Sequence, residues 1–373
     1  MALLSSAWIC RLTIRLAHRH DLGRDETDGI QKNHQHAVPR LGGVPVFVAF
    51  VATLLALARA SELYVVETVF LVICLLPAFA IGLVEDLTRS AGVLTRLVFT
   101  MIAAALGWWL LGASLNRIDI AWADQLLAMH WAGPFVFTLI AAAGVAHAVN
   151  IIDGCNGLIA FFCVVVLLSL ACVAWFVGDP LVLRVSLVAA MSIAGFLVWN
   201  FPFGRIFMGD SGAYLAGFLI ATFSILLVVR NPDVSPWFPM MLMIYPVWET
   251  LFSMYRRAVI SRTSMGRADA LHLHQLIYRR IMRGGAVPED AGDVVLQNSF
   301  TSVYLWVLSL ICAIPAVLMW DNTAFLIGGC LAVISLYMAF YRRLVRFRTP
   351  KMLVRGSARR PRALPRPARD SLR

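Results

Sequence analysis

Residues 205–229 read RIFMGDSGAYLAGFLIATFSILLVV: an arginine, a glycine-flanked aspartate, then an unbroken apolar run from 211 to 229. A helix needs about 20 apolar residues to cross the hydrocarbon core of a bilayer, so this run reads as a membrane span with a carboxylate at its mouth. Runs of the same kind lie near 43–60, 63–84, 95–112, 134–150, 158–177, 181–200, 236–255, 300–319 and 323–341. Residues 2–17 are a poorer candidate, being short and carrying Arg11 and Arg15. The chain reads as all-α, a polytopic integral membrane helical bundle of ten or eleven transmembrane helices.

Composition agrees. Of the 373 residues 60% are hydrophobic and only 14% charged, where soluble proteins carry about 25% charged residues. The net charge of +11 invites a nucleic-acid reading, which the distribution rejects. The basic residues form no single face but sit in loops and in the C-terminal tail, a pattern that suits membrane lipids and anionic substrates. The seven cysteines lie mostly inside apolar runs and form no CxxC pair, so they read as small buried hydrophobes rather than a disulfide or metal framework. No cleavable signal is evident at the start.

Placing the tail in the cytoplasm and alternating backwards turns the segments 18–42, 85–94, 151–157, 201–210 and 256–299 inward. Those segments, with Arg96 and the tail from Arg342, hold 26 of the 32 Lys and Arg residues, while the outward segments hold four. This obeys the positive-inside rule strongly. Residues 1–341 read as one transmembrane domain and 342–373 as a basic, disordered cytoplasmic tail of a multi-pass membrane protein.

The same alternation carries four polar motifs to the inner face: GLVEDLTRSAG (82–92), NIIDGCNGL (150–158), FMGDSG (207–212) and RADALHLHQLIYRR (267–280), together with VPRLGG (38–43). Each has a plain reading. Asp210 could cap a helix starting at Ser211. Glu85 and Asp86 could be solvated beside Arg89, although the negative end of a helix disfavours a paired carboxylate. Asn150 and Asp153, spaced to share a helix face, could belong to a structural turn ended by Gly154 and Gly157. His272 and His274 are exposed by topology and share a face only if extended. Jointly, clustered carboxylates call for a cation, and hard oxygen ligands suit Mg²⁺, with Mn²⁺ as the alternative. Nearby arginines and histidines suit a phosphorylated ligand. These are the components of phosphoryl transfer. No HExxH, cysteine cluster or Walker A loop competes.

At these residues the chain resembles the polyprenyl-phosphate N-acetylhexosamine-1-phosphate transferases, glycosyltransferase family 4, which start peptidoglycan, O-antigen and teichoic-acid assembly. The resemblance covers four motifs in family order from about Pro39 to Arg280, with NIIDGCNGL and FMGDSG the most specific. It implies attack by a phosphate oxygen of undecaprenyl phosphate on the β-phosphorus of a UDP-N-acetylhexosamine, with release of UMP on the cytoplasmic side. It also implies roles. Asp210 matches the magnesium-binding aspartate, and Glu85 and Asp86 match the acidic pair, with Asp86 orienting or deprotonating the lipid phosphate. Asp153 joins them as a catalytic residue, while Asn150 and Asn156 bind the nucleotide side. His272 and His274 hold the sugar diphosphate, and Arg89 and Arg40 supply substrate-binding cations. Glu85, Asn156 and Gln275 depart from the usual Asp, Asp and His, which leaves the donor open between N-acetylglucosamine and a 6-deoxy N-acetylhexosamine. A homodimer stays open. The rivals are a transporter or flippase, which predicts mid-membrane acids on broken helices, and a non-catalytic lipid-binding scaffold.

Overall fold

The computed structural model describes residues 1–20, 38–61, 64–260, 271–282 and 291–346. The elements run α1 (Ala2–His20), α2 (Gly43–Ser61), α3 (Val65–Thr88), α4 (Val93–Leu111), α5 (Ala121–Ala128), α6 (Ala132–Ile151), α7 (Leu158–Phe176), α8 (Pro180–Asn200), α9 (Gly209–Arg230), α10 (Trp237–Tyr255), α11 (Leu273–Ile277), α12 (Ala291–Leu318) and α13 (Thr323–Val345). Every expected span is a helix, and nine of them are long and apolar enough to cross a membrane among the described residues. Helices α1 and α10 fall outside that nine. Arg11 and Arg15 dilute the first, and Tyr245, Pro246 and Glu249 the second. The chain is a multi-pass membrane protein. Short α5 and α11 were not expected, being too brief to leave a periodic pattern. The expected tail from 347 onward, and parts of the expected loops 18–42 and 256–299, lie outside the described residues.

Helix α9 is the axis of the bundle. It is buried from Gly209 to Val228, packed by α2, α3, α4, α6, α7 and α8. Small residues allow this, because lipid gives no hydrophobic reward for helix association and close van der Waals packing must supply it. A Cβ on Gly212 would stand 2.9 Å from the Cα of Gly43 in α2, and one on Gly217 would stand 2.7 Å from the Cα of Ala146 in α6. A Cβ on Gly82 of α3 would stand 2.5 Å from the Cα of Ser211. The peripheral helices instead expose large apolar side chains, among them Val66, Leu94, Ile140 and Ile314, as a lipid-facing shell requires.

The two ends of the bundle are held differently. At one end Asp179 caps α8, accepting from Leu181 N and Val182 N at 3.1 Å, and pairs with Arg230 at 2.6 Å. Arg117 on the same side donates to the carbonyls of Pro232 and Val234, each at 2.7 Å. At the other end, segment 39–43 is tied to the residues before α9: Phe207 N donates to Pro39 O, Gly42 N to Phe207 O and Gly43 N to Met208 O, each at 2.9 Å. These backbone bonds bring Arg40 to the mouth of α9.

Candidate active site

The site grows from the turn Met208–Ser211. Gly209 has φ of 72°, a left-handed conformation that costs a residue bearing a Cβ roughly 1–2 kcal/mol. A Cβ there would also collide with the carbonyl oxygen of Arg40 and stand 2.5 Å from Asp86 Oδ2. We therefore expect Gly209→Ala to lower the unfolding temperature of the detergent-solubilised protein and to abolish activity, and wild-type stability would contradict this packing.

Asp210 does not cap its own helix. The residue preceding α9 is Met208, without a side-chain cap; the cap comes from α3. Asp86 Oδ1 accepts from Asp210 N at 2.8 Å, and Oδ2 accepts from Ser211 N at 2.9 Å and Ser211 Oγ at 2.6 Å. Asp86 is 4% exposed, so its carboxylate is spent on holding the α9 N-terminus, where the helix dipole favours a negative charge. The expected capping exists, but with a partner 124 residues away in the chain. That frees the Asp210 side chain for other contacts.

Three groups meet Asp210. Arg96 of α4 pairs with Oδ2. Oδ1 takes Arg40 at 3.3 Å and Asn150 Nδ2 at 3.2 Å. Arg40 Nε also lies 3.9 Å from Asp86. The clustered carboxylates thus find their counter-charge in two guanidiniums, Arg40 and Arg96. Arg96 is a site residue that sequence reading counted only for topology. Its location inside the first turn of a span, four residues after Gly92, was the available signal.

Helix α6 ends at Ile151, so Asp153 lies beyond it and not on a helix face shared with Asn150. Its N–H donates to the Asn150 carbonyl at 3.2 Å in the terminal turn. Burial pushes the Asp153 carboxyl up to about 7, with Arg40 drawing it down and Asp210 and Asp86 raising it further. Glu85 is turned to its own loop, where it accepts from Ala91 N at 2.8 Å. Arg89 ends α3 with φ of 54°, its N–H on Glu85 O, and its side chain is exposed. Asn156 is directed at α12 instead of at Asp210. Its N–H meets Asn298 Oδ1 at 2.8 Å, its Nδ2 meets Ser299 Oγ at 3.0 Å, and its carbonyl takes Ser302 Oγ at 2.7 Å.

The histidines are buried, at 8% exposure for His272 and 2% for His274, which corrects the expectation of exposure. His272 is the N-cap of α11, reciprocated by Gln275. The two rings stack 5.7 Å apart at 7°, because the chain is extended up to His272 and helical only from Leu273. His274 packs on the backbone of Gly154, where a Cβ would overlap its ring, and so joins the histidine segment to the Asp153 turn. Burial pushes His274 down to about 3, keeping it neutral.

Among the described residues no three His, Cys, Asp or Glu side chains form a metal cage. Asp210 at the mouth of α9 is a single hard carboxylate of the kind on which a Mg²⁺ ion rests while water and substrate phosphates fill its shell.

Comparison with known proteins finds one family. The model of glycosyl transferase family 4 matches residues 68–228. A Bacillus subtilis protein named probable undecaprenyl-phosphate N-acetylglucosaminyl 1-phosphate transferase is 24% identical over 91% of this chain and 88% of its own. A Thermotoga maritima undecaprenyl-phosphate alpha-N-acetylglucosaminyl 1-phosphate transferase is 28% identical over 67% and 72%. A Mycolicibacterium smegmatis decaprenyl-phosphate N-acetylglucosaminephosphotransferase is 26% identical over 80% and 77%.

Proposed function

We propose that this chain, a glycosyl transferase family 4 protein by its matched segment and its relatives, transfers an N-acetylhexosamine-1-phosphate from a UDP-sugar to undecaprenyl phosphate in cell-envelope polysaccharide assembly. The observation that carries this is the mouth of α9, where Asp210 meets Arg40, Arg96 and Asn150 at the end of a membrane-spanning bundle. An acceptor whose isoprenoid tail stays in the bilayer can present only its head group there, and a water-soluble diphosphate must come to it.

Transfer forms a bond from an acceptor phosphate oxygen to the β-phosphorus and breaks the bond to the α-phosphate oxygen, releasing UMP. The barrier is one of alignment and charge, so positioned cations and dipoles do most of the work. Arg40 and Arg96 offer guanidinium forks suited to phosphate oxygens. Asp86 keeps the N-terminus of α9, and with it Asp210, in place. Asn150 orients Asp210, and His272 and His274 line the donor side next to the Asp153 turn. Mg²⁺ on Asp210 would supply further charge neutralisation at the diphosphate. The donor is N-acetylglucosamine by default, the membrane is the bacterial cytoplasmic membrane, and the site faces the cytoplasm, as the basic loops indicate.

The test is membranes incubated with undecaprenyl phosphate, Mg²⁺ and a series of radiolabelled UDP-sugars. Labelled lipid and stoichiometric UMP are expected with a UDP-N-acetylhexosamine and lost with EDTA. No labelled lipid from any UDP-sugar would overturn the reading.

A further inference from the structure

Behind the histidine segment lies an acid that no motif singled out. Glu249, in the middle of α10, has no exposed surface. Three donors converge on it: His272 Nδ1 at 2.9 Å on Oε1, and on Oε2 Leu273 N at 3.2 Å and Tyr337 Oη at 2.7 Å. With donors on both oxygens the carboxylate acts as acceptor only, so Nδ1 of His272 donates to it, and the α11 cap brings the Gln275 N–H to the same side chain.

We propose that Glu249 is a positioning residue for donor binding: through its bond to Nδ1 it holds the His272 ring in the orientation that meets the sugar diphosphate. The role rests on the reading that the histidine segment takes the donor diphosphate. It parallels the carboxylates that set the tautomer and basicity of histidines elsewhere. Glu249 is fixed from both sides, by Tyr337 of α13 and by the backbone that opens α11.

Among the described residues, the charged and titratable groups around His272 are few. Besides Glu249 and Tyr337, the stacked His274 ring is neutral. Tyr245 of α10 stands behind Glu249, and Arg279 acts on His274. Arg256 serves the chain just before the histidine, donating to Leu271 O at 3.2 Å and to Tyr341 Oη at 2.5 Å. Of these, only Glu249 bonds the His272 ring itself.

Two variants test this. Glu249→Gln removes the charge; Tyr337→Phe leaves it and removes one competing donor, which strengthens the hold on His272. Side-chain ¹⁵N shifts of histidine-labelled protein in nanodiscs, with His272→Asn to assign the resonance, are expected to show one Nδ1-protonated form in the wild type. In Glu249→Gln that form should be lost, and in Tyr337→Phe it should persist. Donor KM should rise about tenfold in Glu249→Gln with kcat changed far less, and should stay within about twofold of wild type in Tyr337→Phe. A wild-type His272 resonance or an unchanged donor KM in Glu249→Gln would overturn the proposal. The resonances are read without substrate, so a failure of UDP-sugar transfer in the wild type would overturn the substrate reading and leave the role of Glu249 separately decided.

Discussion

Asp210→Asn is expected to reduce sugar-phosphate transfer on the order of 10³-fold, a loss of about 4 kcal/mol of transition-state stabilisation, while the bundle stays folded. The side chain keeps its size, and the α9 cap does not involve it, because Asp86 binds the backbone N–H of Asp210 and not its carboxylate. What is lost is the charge that Arg40 and Arg96 face and on which a divalent ion would rest. The amide that replaces it still offers an oxygen acceptor to the guanidiniums, so unfolding temperature should change little compared with turnover. The measurement is initial UMP release across a Mg²⁺ titration, alongside thermal unfolding in detergent. Turnover within tenfold of wild type, with the same Mg²⁺ dependence, would remove Asp210 from the centre of the site.

The second large effect belongs to Asp86→Asn, and it should look different. An amide offers one acceptor oxygen where the carboxylate offers two, so one of the buried N–H groups of Asp210 and Ser211 loses its partner. An unsatisfied buried donor costs about 1–3 kcal/mol, and the turn that carries Asp210 is what shifts. Transfer is expected to fall on the order of 10²-fold together with a lowered unfolding temperature. Ser211→Ala, which removes only the hydroxyl bond to Asp86, should cost about 1 kcal/mol and much less activity. A chemical role for Asp86 toward the acceptor phosphate predicts otherwise: an inactive Asp86→Asn protein that unfolds at the wild-type temperature. Stability and rate measured on the same three proteins separate the two accounts.

The motifs were legible because their residue types are unusual for their places. Carboxylates at span ends, an amide-rich turn after α6 and a histidine pair in a basic loop all stand out against apolar runs. Their partners were not legible. Arg96 was only one of many inward cations until α4 brought it to Asp210. Glu249 stood alone among apolar neighbours, and its meaning depends on His272, 23 residues on. Asn156 shows the converse. Its motif suggested the nucleotide, whereas its side chain reaches Ser299, 143 residues away.

Sequence by itself determined the helices, their number within one or two, their alternation and the end at which the polar motifs gather. Those properties follow from local sums, the transfer of about 20 apolar side chains into hydrocarbon and the count of Lys and Arg between them. Only the tertiary structure decided which acid caps α9, which cations balance Asp210 and which carboxylate holds His272. Each of those is a pairwise contact of about 3 Å between helices far apart in the chain, and its energy depends on a distance that no local pattern encodes.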